Sequence, residues 1–213
     1  MSEKDIKTTS DENLRHRHAP VFIAAFVMVS VVAVSVFIYN NRGPKPPGGE
    51  LKLPPPYGWH TSEDVGTKFT DGLNLVTVTP HGRGPLRLIS ARPVMDSGKS
   101  VLVIETLARI NPDMLPPNAE VGSFQQGLGF PPTQPHAAGA MPVEGLIVQP
   151  PEPGENRWIE LQIGLEVIAP GRSVRRGIEL VYEYEGNRHI AFIPSYVAYC
   201  APATVECEPE YDK

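Results

Sequence analysis

The sequence has few of the residues and motifs that mark an enzyme or a nucleic-acid-binding protein. Its 213 residues include only two cysteines, and aromatic residues make up 8% of the chain. No G-x-S-x-G, H-E-x-x-H, S-x-x-K or glycine-rich phosphate-binding motif occurs, so no recognised pattern points to catalysis. The net charge of −5 argues against binding to the phosphates of nucleic acids. We therefore expect a non-enzymatic protein without a cofactor, a metal or a nucleic-acid partner.

Charge is absent from Val21–Tyr39, a run of 19 residues. At about 1.5 Å rise per residue, a helix of that length crosses a hydrocarbon core about 30 Å thick. Only Ser30 and Ser35 interrupt the apolar surface, whereas a core helix carries a polar stripe. No A-x-A-like cleavage site follows, which argues against a removed signal peptide. The pattern predicts a transmembrane helix over 20–40 that acts as an uncleaved signal anchor.

The residues that flank this run indicate its orientation. The basic segment Arg15–His18 (RHRH) adjoins the amino-terminal end of the run, and positive charge favours the cytoplasmic side. Residues 1–19 show no apolar periodicity, so we expect a disordered cytoplasmic tail. The chain is thus predicted to cross a cell membrane once, with the lipid bilayer as one partner and the carboxyl-terminal domain outside the cytoplasm.

Proline and glycine, 24 and 19 in number, are abundant where helical periodicity is missing. Their concentration in residues 41–56 predicts an extended linker. From residue 57 onward the pattern has a period of two, most clearly in Ile159–Val167 (IELQIGLEV). There every second residue is apolar, and we expect the residues between them (Glu160, Gln162, Gly164 and Glu166) to face water.

Turn signals separate the predicted strands. Asp71-Gly72 and Gly186-Asn187 are each expected to join two strands in a hairpin, and a change of phase at Leu88-Ile89 predicts a β-bulge. No amphipathic helix is apparent after the apolar run. Seven or eight short strands predict a mainly β domain over 57–200, either an immunoglobulin-like β-sandwich or, as the alternative, a closed β-barrel.

Two features of this domain are candidates for binding a partner. Residues 111–141 form a long proline-rich insertion that a sandwich does not need, and its Phe124 and Phe130 are candidate apolar anchors. The alternative is that these rings cover an edge of the sandwich. The second feature is a group of three arginines, Arg172, Arg175 and Arg176, which we assign to partner binding. Charge that guards an edge strand explains them equally well.

The two cysteines, Cys200 and Cys207, belong to a segment that is predicted to lie outside the cytoplasm. In an oxidising compartment two such neighbours are expected to form a disulfide, and a redox pair would favour C-x-x-C spacing. Residues 201–213 are therefore interpreted as a disulfide loop followed by an acidic tail.

Histidine and methionine together raise the question of a copper site, because both ligate that metal outside the cytoplasm. Only His136 and Met141 lie close together in the sequence. We prefer surface histidines and gap-filling methionines as the interpretation, with no metal. The other residues considered are His60, His81, His189, Met95 and Met114.

The layout resembles that of single-pass bacterial envelope proteins with a short cytoplasmic tail and an extracytoplasmic β-sandwich. This resemblance implies a non-enzymatic accessory or scaffold subunit of a larger membrane complex, with a membrane or envelope protein as partner. The alternative is an extracytoplasmic ligand-binding or sensing module.

Overall fold

Two β-sheets make up the regular structure of the domain. The computed structural model describes residues 43–111, 126–134, 137 and 139–208, and the compact unit that contains the sheets begins at Pro44. No helix within these ranges is long and apolar enough to cross a membrane. The tail predicted for 1–19 and the helix predicted for 20–40 lie outside the described residues.

Eleven strands occur in the described part of the chain, most of them in segments where apolar and polar residues alternate. In chain order they are β1 (Leu51–Lys52), β2 (Tyr57–Ser62), β3 (Lys68–Val78), β4 (Leu86–Ser97), β5 (Val101–Asn111), β6 (Gln126–Leu128), β7 (Met141–Pro142), β8 (Ile147–Val148), β9 (Arg157–Val167), β10 (Gly171–Tyr184) and β11 (Asn187–Ala201).

The first sheet has the strand order β1-β3-β9-β5-β7, with β6 paired to β3, and the second has the order β2-β11-β10-β4-β8. Strand β2 runs parallel to β11, and the other paired strands are antiparallel. The predicted mainly β, sandwich-like architecture is confirmed, because the strands form two sheets rather than one closed sheet.

The main hydrophobic core includes the apolar residues of β9, as their alternation predicted. Ile159, Leu161, Ile163 and Leu165 are wholly buried in one cluster with residues of the second sheet such as Ile178. At about 25 cal/mol per Å² of apolar surface removed from water, such residues provide the main driving force for folding.

The opposite face of β9 is open to water only at Glu166, which is half-exposed, although the alternation predicted that the whole face meets water. Glu160 and Gln162 are 0% exposed. The insertion covers this face: Gln162 Nε2 donates a hydrogen bond to the carbonyl of Ala137 at 3.0 Å, and the ring of Phe130 lies on Gly164. A period of two reports the polarity of a strand's own residues and cannot show that a distant segment covers them.

The hairpin predicted at Asp71-Gly72 is also wrong, because β3 runs straight through these residues. Its register against β9 shifts between Asp71 and Asn74, and Leu73 adopts a φ of 61°. A bulge of this kind absorbs additional residues without ending the strand.

Two other local predictions are confirmed. In the pairing of β4 with β10, Val181 lies opposite Ser90 and Tyr182 opposite Leu88, which leaves Ile89 as the bulged residue. Strands β10 and β11 form a hairpin in which Tyr184 pairs with Asn187. Its two-residue loop is Glu185-Gly186, one residue earlier than the sequence indicated.

The chain is bound to the sandwich from Lys45 onward, within the segment that composition assigned to a linker. The amide of Lys45 donates to the carbonyl of Arg188 at 2.9 Å, and the amide of Ile190 donates to the carbonyl of Lys45 at 2.8 Å. Further along, the amide of Thr79 donates to the carbonyl of Glu50 at 2.9 Å. We call residues 44–50 the entry segment.

Candidate functional site

A polar cavity of about 360 Å³ lies at the end of the sandwich where the chain enters the domain. Its volume falls within the range of sites for small ligands, roughly 300–1,000 Å³. Three parts of the chain form its wall: the entry segment, the connection between β3 and β4, and the β10–β11 turn. The lining residues are Lys45, Gly48, Glu50, His81, Arg83, Tyr184, Glu185, Asn187 and His189.

The β10–β11 turn brings Tyr184, Glu185 and Asn187 to the wall of the cavity. Glu185 and Gly186 adopt positive φ values of 49° and 70°. Both central residues of a type I′ turn have positive φ, and such a turn matches the right-handed twist of the flanking strands. Glycine takes up this conformation without strain, which explains its place in the turn.

A buried network of Glu50, Tyr182 and His189 lies against one side of the cavity. The hydroxyl of Tyr182 donates to Glu50 Oε1, and the imidazole of His189 stacks on the Tyr182 ring with centroids 5.3 Å apart. Burial and the neighbouring Glu50 raise the pKa of Tyr182 above its usual range. The amide of Gly48 donates to Glu50 Oε2 at 2.8 Å, so donors of the protein contact both carboxylate oxygens.

Two cationic residues, Lys45 and Arg83, also line the cavity. Lys45 Nζ donates to Asn187 Oδ1 at 2.7 Å. The amide of Arg83 donates to the hydroxyl of Tyr184 at 2.8 Å, which fixes the backbone at this point. Among the described residues, the guanidinium of Arg83 has no hydrogen-bond or ion-pair partner. Its donors are therefore available to a ligand.

A second titratable cluster lies between the two sheets and contains Asp71, Arg175, Ser195 and Tyr199. Arg175 Nη2 is 3.0 Å from Asp71 Oδ2, and Arg175 Nη1 donates to Ser195 Oγ at 2.8 Å. The hydroxyl of Tyr199 donates to Asp71 Oδ2 and accepts from Arg175 Nε at 3.2 Å. The side chains of both ionised residues are 0% exposed, so the cluster links the sheets and does not meet a ligand.

Burial and mutual attraction shift the pKa values in this cluster. Although burial opposes its charge, the carboxylate of Asp71 raises the pKa of Arg175, so the guanidinium stays charged. Burial raises the pKa of Asp71, and Arg175 opposes that rise. Burial and the negative charge of Asp71 raise the pKa of Tyr199 well above its usual range.

The three arginines assigned to partner binding do not form one surface. Arg175 is wholly buried in the ion pair with Asp71, so its assignment to a partner surface is wrong. Arg176 is exposed and its Nε lies 2.9 Å from Asp96 Oδ2, while Arg172 Nη2 donates to the carbonyl of Glu208 at 3.1 Å. Partner binding by Arg172 and Arg176 stays a prediction.

Of the two phenylalanines of the insertion, only Phe130 lies in the described part of the chain. Phe124 lies outside the described residues. Phe130 is half-buried, and its ring covers Gly164 of β9, an inner strand of the first sheet, so it covers a face of the sandwich rather than the edge that the alternative named. Whether either ring also contacts a partner stays a prediction.

The predicted disulfide is confirmed. Cys200 and Cys207 are joined, with their Cα atoms 5.7 Å apart. Cys200 lies within β11 rather than after it, and together with Ala198 the two cysteines form a small buried cluster at the far end of the sandwich from the cavity.

The histidines considered as metal ligands are partly brought together by the fold. His81 and His189 both line the cavity, while His136 and Met114 lie outside the described residues. In the part of the chain that is described, no three His, Cys, Asp or Glu side chains gather in a way that could hold a metal. The absence of a metal in the protein stays a prediction.

Sequence reasoning did not find the cavity, because its lining comes from three distant segments. Lys45 was read as part of a linker, and Arg83 and Asn187 as parts of turns. The clearest available signal was the turn sequence Glu185-Gly186-Asn187, since two-residue turns place their flanking residues side by side.

Comparison with known proteins adds a weak similarity of fold. No protein-family model matches the chain, and no curated protein matches it either. The structure of the CooA pilin subunit from enterotoxigenic Escherichia coli is similar over 72% of this chain and 97% of that chain, at 6% identity and a TM-score of 0.33. A similarity at this level supports no conclusion about function.

Proposed function

We propose that this protein is a single-pass, membrane-anchored envelope protein that acts as a non-enzymatic accessory or scaffold subunit of a larger membrane complex. The apolar run Val21–Tyr39 supports the anchor, with the amino terminus in the cytoplasm and the domain outside. The Cys200–Cys207 disulfide supports an oxidising compartment for the domain, because cytosolic proteins seldom keep such bonds.

We also propose that the domain is immunoglobulin-like. Its strand orders β1-β3-β9-β5 and β4-β10-β11 correspond to the A-B-E-D and C-F-G sheets of a constant-type immunoglobulin domain. Antibody domains join their B and F strands by a disulfide across the sheets. Here the corresponding strands, β3 and β10, are joined by the Asp71–Arg175 ion pair.

The observation that carries the scaffold proposal is the attachment of the entry segment to the sandwich. Lys45 is already hydrogen-bonded to β11, so only residues 40–44 separate the apolar run from the domain. Five residues span at most about 18 Å when fully extended. Such a short tether suits a domain that contacts a membrane-embedded partner.

Two measurements test this proposal. A reporter that is active only after export, fused after residue 10, should be inactive, and the same reporter at the carboxyl end should be active. Partner retention in mild detergent should fall when a 20-residue Gly/Ser segment is inserted between Gly43 and Pro44. The same segment inserted at the exposed turn Gly154-Glu155 controls for the length of the insert. Activity of the residue-10 reporter, or equal retention in both insertion variants, contradicts the proposal.

A second candidate function, an extracytoplasmic ligand-binding or sensing module, is supported by the polar cavity. The cavity has the size of a small-ligand site and contains an arginine without a partner in the described residues. Stabilisation of the domain against heat by a small ligand supports this function, since a ligand of the native state shifts the unfolding equilibrium.

A further inference from the structure

We propose that the polar cavity binds a phosphate group, either of a free anion or of a lipid headgroup, and that Lys45 and Arg83 hold it. This inference rests on the second candidate function and names its ligand chemistry. It does not depend on the identity of a protein partner.

The balance of donors and acceptors in the cavity favours an anion. Tyr182 and the amide of Gly48 already contact the two oxygens of Glu50, and Lys45 contacts Asn187 Oδ1. The groups that remain are mainly donors: the other N–H bonds of Lys45 and the whole guanidinium of Arg83. A phosphate oxygen accepts hydrogen bonds and donates none when ionised, so it fits this set better than a sugar hydroxyl, which needs both.

The cavity still favours an anion although two carboxylates, those of Glu185 and Glu50, also line it. Glu185 is exposed, as Lys45 and Arg83 are, so solvent screens all three charges alike and two cations remain against one exposed carboxylate. The buried carboxylate of Glu50 lies next to the imidazole of His189, with Oε1 and Nδ1 3.7 Å apart, and faces the donors described above. The two cations are therefore not neutralised by an ion pair with either carboxylate among the described residues.

Both cations are anchored through their backbones. Lys45 is bonded on both its amide and its carbonyl to β11, and the amide of Arg83 is bonded to Tyr184. Their side chains therefore start from fixed positions, which reduces the entropy lost when a ligand binds. Arginine suits phosphate because its planar fork can donate two parallel hydrogen bonds.

Two sources of phosphate are chemically equivalent at this site. The cavity lies at the end of the domain where the chain enters, and the proposed anchor precedes it by five residues. A phospholipid headgroup and a free phosphate are both candidates. The same hydrogen bonds serve either one.

The test uses the full chain in dodecyl maltoside micelles, which contain no phosphate, with thermal unfolding followed by tryptophan fluorescence. Inorganic phosphate is titrated against chloride at equal ionic strength, and a second set of micelles contains phosphatidylglycerol. Arg83→Gln and Lys45→Gln remove the proposed ligands. Arg92→Gln, an exposed arginine on β4 that pairs with Glu179, removes the same charge elsewhere.

We expect phosphate to raise the unfolding midpoint of the wild type and of Arg92→Gln. Arg83→Gln should need at least about tenfold more phosphate, because a hydrogen bond between charged groups contributes about that factor or more. Stabilisation by phosphatidylglycerol that depends on Arg83 identifies a lipid headgroup as the ligand, and stabilisation by phosphate alone identifies a soluble anion.

The inference is overturned if neither probe stabilises the wild type more than chloride does. It is also overturned if both Arg83→Gln and Lys45→Gln respond as the wild type does. Either result would leave the anchor and scaffold proposal intact, because the export reporters and the linker insertions measure it separately.

Discussion

Two buried ion pairs in this domain have the same charges and the same lack of exposure but different surroundings. Asp71–Arg175 lies between the sheets, and Arg109–Glu160 lies on the outer face of the first sheet, the face on which the insertion covers Gln162 and Gly164. The side chains of all four residues are 0% exposed. Arg109 Nε donates to Glu160 Oε2 at 2.9 Å.

The two ion pairs differ in how many of the buried polar atoms around them have a hydrogen-bond partner. Tyr199, Ser195 and Asn74 complete the hydrogen bonds of the pair between the sheets. Near the outer pair, three buried acceptors have no hydrogen-bond partner within the described residues: Glu160 Oε1, Asn111 Oδ1 and Gln162 Oε1. An unsatisfied buried acceptor costs about 1–3 kcal/mol.

The comparison shows that burial alone does not make an ion pair structural. The pair between the sheets is enclosed by two layers that cannot separate without unfolding. On the outer face the insertion covers Gln162 and Gly164, which lie two and four residues along β9 from Glu160, and displacement of the insertion would open that face to water.

The largest expected effect comes from breaking the pair between the sheets. Arg175→Met leaves the carboxyl group of Asp71 in the core without its ion-pair partner, and should lower the free energy of unfolding by about 3–5 kcal/mol in urea titrations. Arg109→Met should lower it by about 1–3 kcal/mol, because displacement of the insertion lets water reach Glu160.

An exposed pair completes this series as a control. Arg92 Nη2 lies 2.9 Å from Glu179 Oε1 at the surface, and Arg92→Met should change the free energy of unfolding by less than about 1 kcal/mol. Equal losses for Arg175→Met and Arg109→Met would show that the cover over the outer face is as fixed as the second sheet.

The second prediction concerns the cover itself. A Cβ at position 164 would lie 2.4 Å from Phe130 Cγ, so Gly164→Ala must displace the ring. We expect a loss of about 1–3 kcal/mol, as for other overpacking substitutions. In a Phe130→Ala background the alanine at 164 meets no ring and should cost little.

This double-mutant cycle also decides the role of Phe130. A large coupling between positions 164 and 130 assigns the ring to the fold. If Phe130→Ala leaves the unfolding midpoint unchanged and weakens retention of the membrane partner, the ring serves the interface that the sequence predicted.

The parts that the sequence predicted depend on local signals. The alternation in Ile159–Val167, the turn near Gly186 and the bulge at Ile89 each follow from a few adjacent residues. The disulfide followed from the predicted compartment and the small number of cysteines. These signals were sufficient for a mainly β domain, whereas the choice between a sandwich and a closed barrel needed the pairing of distant strands.

The features of the fold and of the cavity that the sequence did not predict depend on contacts between distant segments. Arg175 is 104 residues from Asp71, and the strand register shifts between Arg175 and Gly177, which changes the residues that face inward. Three nearby arginines therefore resembled a surface cluster. The cover over the outer face of β9 and the wall of the cavity likewise need the folded chain to bring their parts together.

The smallest expected effect is a change in the free energy of unfolding at alkaline pH. It tests how well the Asp71–Arg175 pair and its neighbour Tyr199 are enclosed between the sheets. Burial and the charge of Asp71 raise the pKa of Tyr199 in the folded protein, whereas an unfolded tyrosine titrates near pH 10. Above that pH the unfolded state has lost a proton that the native state keeps. Stability from this residue is therefore complete below pH 10 and falls as the pH rises further, by about 1.4 kcal/mol per pH unit.

Tyr199→Phe should make this fall in the free energy of unfolding shallower by about that amount, in urea titrations between pH 9 and 11. Phe69→Leu alters the ring that packs on Tyr199, with centroids 5.8 Å apart, and removes no titrating group, so its slope should match that of the wild type. The outer pair itself contains no tyrosine, so Arg109→Met should also leave the slope unchanged. A slope that is identical in Tyr199→Phe and the wild type would mean that Tyr199 reaches solvent and titrates in the folded state. The pair between the sheets would then be no better enclosed than the pair on the outer face.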